Sequence, residues 1–299
     1  MRAEYRLEPC KSALNPVRGM PFGWSLNPYM GCVHRCTFCY VRHFEQRADR
    51  PADERYGRSI RVKTNVADVL RRELARPSWE RDEVALGTAT DPYQPAEGRF
   101  RLTRACLLEL ARSGTPFSIV TRGPLVVRDV DVLQEASALV EVSVYFSVPT
   151  LDDRVWRTTE PGTAPPQSRL EAVRRLSQAG IDVGVGMAPI LPGLSDRPEQ
   201  LEEVVRAARA AGARGIWASV VHLRPGVREH FLEALAQDWP EEVARYEALF
   251  AERAYLPAAV TKPVVEHVRS ISRSIPSPRR RSARQGTKPA RAEQLSLTL

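Results

Sequence analysis

Very little lysine is present in this 299-residue chain: Lys11, Lys63, Lys262 and Lys288 are the only four among 44 basic residues. Arginine is the better fork for phosphate, but an excess this uniform reflects genome composition rather than a binding function. No run approaches the roughly 18 uninterrupted apolar residues of a membrane span. The opening residues, Met1-Arg-Ala-Glu-Tyr-Arg6, lack the apolar core of a secretory signal, so a cytoplasmic location is expected. Cysteine is scarce, at five residues. That odd number, with three inside eight positions, excludes a secreted disulfide scaffold and points to metal ligation. Gly184-Val-Gly186-Met-Ala-Pro189 starts like a dinucleotide fingerprint, but it lacks the third glycine and the following helix. No internal repeat is seen.

What is present describes an ordinary globular protein, with 43% hydrophobic and 27% charged residues. The length suffices for one large α/β domain or two modest ones. The net charge is +8, yet its placement matters more than its size. From Arg269 onward eight basic residues face only Glu293, so the chain before them is close to neutral. Any electrostatic case for nucleic acid rests on that tail or on a local patch.

Short apolar runs alternate with helical patterns. Strands are expected at Trp24–Met30, Glu83–Gly87, Phe117–Thr121, Val140–Ser147, Ile181–Met187 and Gly215–Val221. Between them helices are expected at Val66–Arg76 capped by Asn65, from a Thr103 cap to near Gly114, and at Asp129–Leu139, Gln167–Ala179 and Arg197–Ala211. Pro240–Ala254 and Pro257–Ser270 follow as further helices. Six strands alternating with helices predict an α/β fold with a parallel sheet and right-handed crossovers, closing as a partial (β/α)6 barrel. The expected division is a mostly irregular lead-in at 1–24, a core at 25–225, C-terminal helices at 226–271 and a disordered basic C-terminal tail at 272–299, too polar to offset its chain entropy.

The most informative segment is Ser25-Leu-Asn-Pro-Tyr-Met-Gly-Cys-Val-His-Arg-Cys-Thr-Phe-Cys-Tyr-Val-Arg42. Cys32, Cys36 and Cys39 can wrap three thiolates around one centre, and soft thiolates select zinc or iron–sulfur. A structural zinc site closes its tetrahedron, here through His34, His43 or Cys10. Three cysteines on a four-iron cube instead leave one iron open for a small molecule. Spacing alone leaves both readings open.

Cys-x3-Cys-x-aromatic-Cys, with Phe38 as the aromatic, resembles the signature of the radical S-adenosylmethionine superfamily. The resemblance implies a 4Fe–4S cluster and S-adenosylmethionine as cofactors, the motif following the first strand of a partial barrel, and an electron donor of flavodoxin or ferredoxin type. It also implies that reductive cleavage of S-adenosylmethionine gives a 5′-deoxyadenosyl radical that takes hydrogen from a substrate. Asn27-Pro-Tyr-Met-Gly-Cys32 and Gly87-Thr-Ala-Thr-Asp-Pro-Tyr-Gln-Pro-Ala-Glu97 are similar to the spore photoproduct lyase-like branch, a DNA repair photolyase-like group. So are Thr121-Arg122, closing the third strand, and Glu160-Pro161 with Arg169. By that resemblance Phe38, Tyr40, Gly87, Thr88, Thr121, Ser147, Glu160 and Arg169 are cofactor-binding candidates. Asp91, Tyr93 and Glu97 are substrate-pocket candidates. The alternatives are strand-end hydroxyls for Thr121 and Ser147, an exposed helix position for Arg169, and loop solvation or a helix cap for Asp91 and Glu97.

There is one departure. Spore photoproduct lyases carry a hydrogen-donating cysteine shortly after the second strand, where this chain has Thr88-Ala89-Thr90. Cys106 falls in an apolar helix and reads as packing. The terminus Gln294-Leu-Ser-Leu-Thr-Leu299 resembles the short peptide that docks repair proteins on the sliding clamp. The expectation is a radical enzyme, of lyase type, acting on damaged or modified nucleic acid. Its rivals are the same chemistry on a protein or small molecule, and a non-catalytic metal-binding adaptor recruited to the clamp.

Overall fold

A computed structural model describes residues 3–53 and 55–277. Seven strands form the main sheet: β2 (Leu14–Pro16), β3 (Trp24–Leu26), β6 (Val84–Leu86), β7 (Phe117–Thr121), β8 (Val142–Ser147), β9 (Asp182–Ile190) and β10 (Gly215–Val220). From β3 to β10 they lie side by side in chain order and all run parallel. This is the partial barrel expected from the six apolar runs, since each strand–helix unit returns beside the last one. β2 adds an antiparallel edge to β3. Three further strands, β1 (Glu4–Glu8), β4 (Tyr29–Met30) and β5 (Ser59–Lys63), make a small second sheet in the order β1-β5-β4.

The helices are α1 (Val41–Arg47), α2 (Val66–Leu74), α3 (Pro95–Phe100), α4 (Leu102–Arg112), α5 (Val130–Ser137), α6 (Asp153–Thr159), α7 (Pro166–Gln178), α8 (Pro198–Ala210), α9 (Val227–Asp238), α10 (Val243–Phe250) and α11 (Ala258–Ser274). One face of the sheet buries Leu26, Leu86, Ile119, Val144, Phe146, Val185 and Met187 against them. At about 1.5–3 kcal/mol per buried side chain, this face dominates the stabilisation. The opposite face alternates with it and carries small residues, among them Ser118, Ser143, Ser147, Gly184 and Gly186.

Several expectations are corrected. The lead-in at 1–24 is irregular over most of its described length, but it also supplies two strands that were not expected, β1 and β2. Both are edge strands with largely exposed side chains, so no apolar period marks them. The strand read at Trp24–Met30 is two strands broken at Asn27-Pro28, where proline has no ladder donor. Asn65 does not cap α2 with its side chain. It mimics a strand partner instead, accepting from the Cys10 amide (2.7 Å) and donating to the Cys10 carbonyl (3.2 Å). Thr103 lies inside α4, its hydroxyl donating to the Pro92 carbonyl at 2.7 Å. Pro240–Ala254 is a 3-10 turn at Pro240–Glu242 followed by α10. The last helix runs on to Ser274. Residues 278–299, including Gln294–Leu299, lie outside the described residues, and so does most of the expected tail. No described helix is long and apolar enough to cross a membrane.

Candidate active site

The three clustered cysteines occupy the loop between β4 and α1. Cys32 and Cys36 are buried, Cys39 is half-buried, and none is in a disulfide. Two glycines hold the loop from either side. Gly162 donates from its amide to the His34 carbonyl at 3.0 Å, and a β-carbon there would lie 2.3 Å from the Val33 carbonyl oxygen. At Gly57 a β-carbon would lie 2.3 Å from the Cys32 carbonyl oxygen. Gln94 fastens the start of the loop, accepting from the Val33 amide (3.2 Å) and donating to the Gly31 carbonyl (3.0 Å). The Thr37 amide donates to the Thr159 carbonyl at 2.9 Å.

Burial pushes the free Cys36 thiol up to about 12, and burial with the nearby Asp91 carboxylate raises Cys32 well above its ordinary range. Coordination to iron would reverse that order, because a coordinating thiol is deprotonated outright. The donor set therefore suits a soft, cationic iron–sulfur centre. Among the described residues no three His, Cys, Asp or Glu side chains are placed to hold a single metal ion. Of the fourth ligands considered for zinc, the two histidines are engaged elsewhere: His34 Nδ1 faces Asp91 Oδ2 at 3.4 Å and His43 Nδ1 lies 3.0 Å from the Pro225 carbonyl. Burial, with Arg122 and Arg169, lowers the His34 imidazole more than Asp91 raises it, so it is neutral at pH 7.

The loops after β3, β6, β7 and β8 meet beside the cysteines. Asn27 Oδ1 accepts from the Ala89 and Thr90 amides (3.0 and 3.3 Å), and its Nδ2 donates to Thr88 Oγ1 (3.2 Å). The Tyr40 hydroxyl donates to the Thr88 carbonyl. Gly87 sits at φ +89°, and a β-carbon would strike the Val120 carbonyl oxygen at 2.1 Å. Asp91 accepts from the Tyr93 amide (2.8 Å), Thr121 Oγ1 (2.6 Å) and the Arg122 amide (2.6 Å). Thr121 Oγ1 in turn accepts from the Gly123 amide at 2.8 Å.

Glu160 lies between two guanidiniums, accepting from Arg122 Nε at 2.6 Å and Arg169 Nη2 at 2.7 Å. Burial alone would raise its carboxyl, but Arg169 and Arg122 outweigh burial and hold it below the usual carboxylate range. Arg169 is fully buried and not an exposed helix residue. It also donates to the Ser147 and Ala164 carbonyls, both at 2.8 Å. Ser147 Oγ donates to the Ala188 carbonyl at 2.7 Å. Phe38 is buried beneath Arg122, whose guanidinium lies 5.7 Å from the ring centre.

The substrate-pocket candidates take part in the internal framework. Glu97 is fully buried, accepting from the Thr103 (2.8 Å) and Arg104 (3.2 Å) amides at the start of α4, from the Tyr29 hydroxyl and from Arg128 Nη2 (2.8 Å). It caps a helix. Tyr93 is buried and donates to Asp129 Oδ2 at 3.2 Å. Asp91 spends both oxygens on the framework just described. Arg122 and His34 were not among the cofactor or substrate-pocket candidates, although Arg122 stood in the Thr121-Arg122 motif and His34 was considered as a zinc ligand. A cavity of about 1150 Å³ opens at the opposite ends of the strands, beside Glu83, Glu141, Asp182 and Arg214. None of the candidate residues lines it.

Residues 26–208 match the family model described as the Radical SAM superfamily. An uncharacterized protein of Mycobacterium tuberculosis (strain ATCC 25618 / H37Rv) is 43% identical over 262 residues, covering 87% of this chain and 77% of that one. Another, from Acidianus two-tailed virus, is 30% identical over 225 residues, 71% of each chain. The fold is similar to that of a spore photoproduct lyase point mutant, with a TM-score of 0.66 and 15% identity over 90% of this chain and 79% of that one. A spore photoproduct lyase with bound AdoMet and dinucleoside spore photoproduct gives a TM-score of 0.58 and 17% identity over 79% of this chain. The match spans 66% of that chain, just under two thirds of its length. A matching family model over more than half of the chain, on this sheet and beside this cysteine loop, decides the family: the chain belongs to the radical S-adenosylmethionine superfamily, whose members use a 4Fe–4S cluster and S-adenosylmethionine.

Proposed function

We propose that this enzyme is of lyase type and acts on a base of damaged or modified nucleic acid. In this reading Cys32, Cys36 and Cys39 would hold the 4Fe–4S cluster, and that cluster would supply the electron for reductive cleavage of S-adenosylmethionine and so hydrogen-atom abstraction from the substrate. The residues of the chain orient and shield. Asn27 fixes the Gly87–Thr90 turn, Glu160 locks Arg122 to Arg169, and the buried Phe38 excludes water from the cysteine loop.

Trp217 carries the choice of a base. It stands on the small-residue face of the sheet, paired with Gly186 in the strand ladder and beside Ser147 one strand further on. A β-carbon on Gly186 would lie 2.7 Å from its indole ring, so only glycine leaves room for the ring there. Trp217 is nevertheless 44% exposed, and an exposed indole on a face of small residues suits stacking of a planar ring. The dinucleoside bound by a protein of the same fold supports an occupant of that size.

The spore photoproduct itself is a poorer fit. Cys106 is fully buried in the helical core, and Cys10 lies in the loop after β1, bonded to Asn65. Neither stands where a hydrogen-returning thiol is expected. Electron delivery in this reading is by a flavodoxin or ferredoxin type of donor.

The test is anaerobic reconstitution with iron and sulfide, then dithionite and S-adenosylmethionine, with 5′-deoxyadenosine measured alone and with intact or ultraviolet-irradiated DNA. Damaged DNA should stimulate its formation, and Trp217→Ala should weaken that stimulation about tenfold, from about 1–3 kcal/mol per stacked base. Formation that ignores DNA would transfer the chemistry to a protein or small molecule. A loaded cluster that gives none under any condition would favour the adaptor.

A further inference from the structure

Arg42 stands three residues beyond Cys39 and is 2% exposed, one of the most deeply buried charged groups in the chain. Its Nη1 donates to the Ala52 and Asp53 carbonyls at 2.6 and 2.7 Å. Its buried Nε has no partner. The neighbouring carboxylates are taken: Asp53 pairs with Arg55 at 2.8 Å and Glu45 with Arg50 at 2.6 Å. Among the described residues no carboxylate forms an ion pair with Arg42. A buried guanidinium held by backbone carbonyls alone is costly, because they carry only partial charge. Such a group is retained where an anion completes it.

The guanidinium lies 4.6 Å over the ring of Tyr56. Tyr56 is itself 3% exposed, and its hydroxyl is 3.7 Å from Cys39 Sγ. The segment carrying Tyr56 is pressed onto the cysteine loop, since Gly57 rests directly on the Cys32 carbonyl. Arg42 fixes the same segment from the other end through Ala52 and Asp53. A buried cation, an oriented hydroxyl and a ligating sulfur therefore form one chain of contacts.

We infer that Arg42 and Tyr56 set the reduction potential of the cluster, Tyr56 by donating a hydrogen bond to the Cys39 sulfur and Arg42 by balancing the charge of the thiolates and positioning the phenol. Adding an electron increases the negative charge at the sulfurs, so both groups stabilise the reduced cluster more than the oxidised one and raise its potential. Neither residue is needed to hold iron. The inference rests on the three cysteines as cluster ligands, and iron content measured first separates a failure there from a failure here.

The full chain, Tyr56→Phe and Arg42→Lys are reconstituted, assayed for iron and sulfide, and titrated potentiometrically with the reduced cluster followed by electron paramagnetic resonance. Tyr56→Phe should load iron like the native chain and shift to a more negative potential. A lost charged hydrogen bond implies about a tenfold smaller reduction constant, which is about 59 mV for one electron. Arg42→Lys keeps the charge and loses the planar stack, so it should shift less in the same direction. A fully loaded Tyr56→Phe with the native potential, or a more positive one, would overturn the inference. If Arg42→Lys fails to load, Tyr56→Phe decides alone. If the native chain itself builds no cluster, the inference falls with the ligand assignment.

Discussion

Replacing Glu160 by glutamine removes the one negative charge between two guanidiniums and changes the shape of the site very little. The carboxylate and Arg169 are 1% and 0% exposed in their side chains, and Arg122 is 20% exposed. An amide can accept one of the two bonds but presents its own donors to the other guanidinium, leaving a buried cation without its counter-charge. Breaking a buried pair in this way costs about 3–5 kcal/mol, a large share of the about 5–15 kcal/mol that holds a typical domain folded. The pH dependence carries a sign. Because the folded carboxyl is held below its ordinary value, its contribution is complete above the unfolded value of about 4.3 and fades as pH falls through the lower folded one. The stability gap between native and variant chains should therefore be widest at neutral pH and narrow in acid. Urea unfolding followed by circular dichroism at several pH values measures it, and a cycle with Arg122→Gln isolates the pair. A loss below about 1 kcal/mol at pH 7, or a gap that ignores pH, would show that Glu160 is not the keystone of this network.

Other perturbations test other parts of the framework. Gly162→Ala places a β-carbon 2.3 Å from a backbone oxygen of the cysteine loop. Iron bound per chain should fall several-fold in that variant, and native stoichiometry would refute the clamp. Glu97→Ala strips a cap, leaves the buried Tyr29 hydroxyl without its acceptor and removes one of the two carboxylates on Arg128, so it should cost about 2–4 kcal/mol. Its yield of 5′-deoxyadenosine per loaded cluster should be unchanged, whereas a substrate contact would give the reverse pattern. Cys106→Ala should destabilise by about 1 kcal/mol through lost packing and leave radical formation intact. Cys36→Ala should abolish both the cluster and 5′-deoxyadenosine.

The parallel sheet was legible because its strands are buried on both sides of the ladder, and Val84–Leu86 or Phe117–Thr121 therefore read as apolar runs bounded by polar residues. β1 was not, because Glu4–Glu8 exposes charged side chains on an edge and is defined by its partner at Ser59–Lys63. The cysteine spacing is local and could be read directly. The polar framework is not local: Tyr29 reaches Glu97, Asn27 reaches Thr90, and Arg122 reaches Glu160 across three different loops. A polar residue on a helix can pass for exposed until its partner is known, which is why a surface position stayed open as the alternative for Arg169, a residue that proves to be core. Arg42 and Tyr56 left no signal for the same reason.

The two halves of the clamp around the cysteine loop are far apart in order of synthesis. Cys39 leaves the ribosome more than a hundred residues ahead of Gly162, an interval on the order of 10 s at common elongation rates. Through that interval the nascent thiols lack the backbone that later closes over Val33 and His34. Iron delivery that waits for the fourth strand–helix unit meets a finished cradle, while oxidants arriving earlier meet three bare thiols. With the three cysteines as the proposed cluster ligands, the order of translation and the supply of iron would be coupled, and slow codons between residues 40 and 160 would lengthen the vulnerable period.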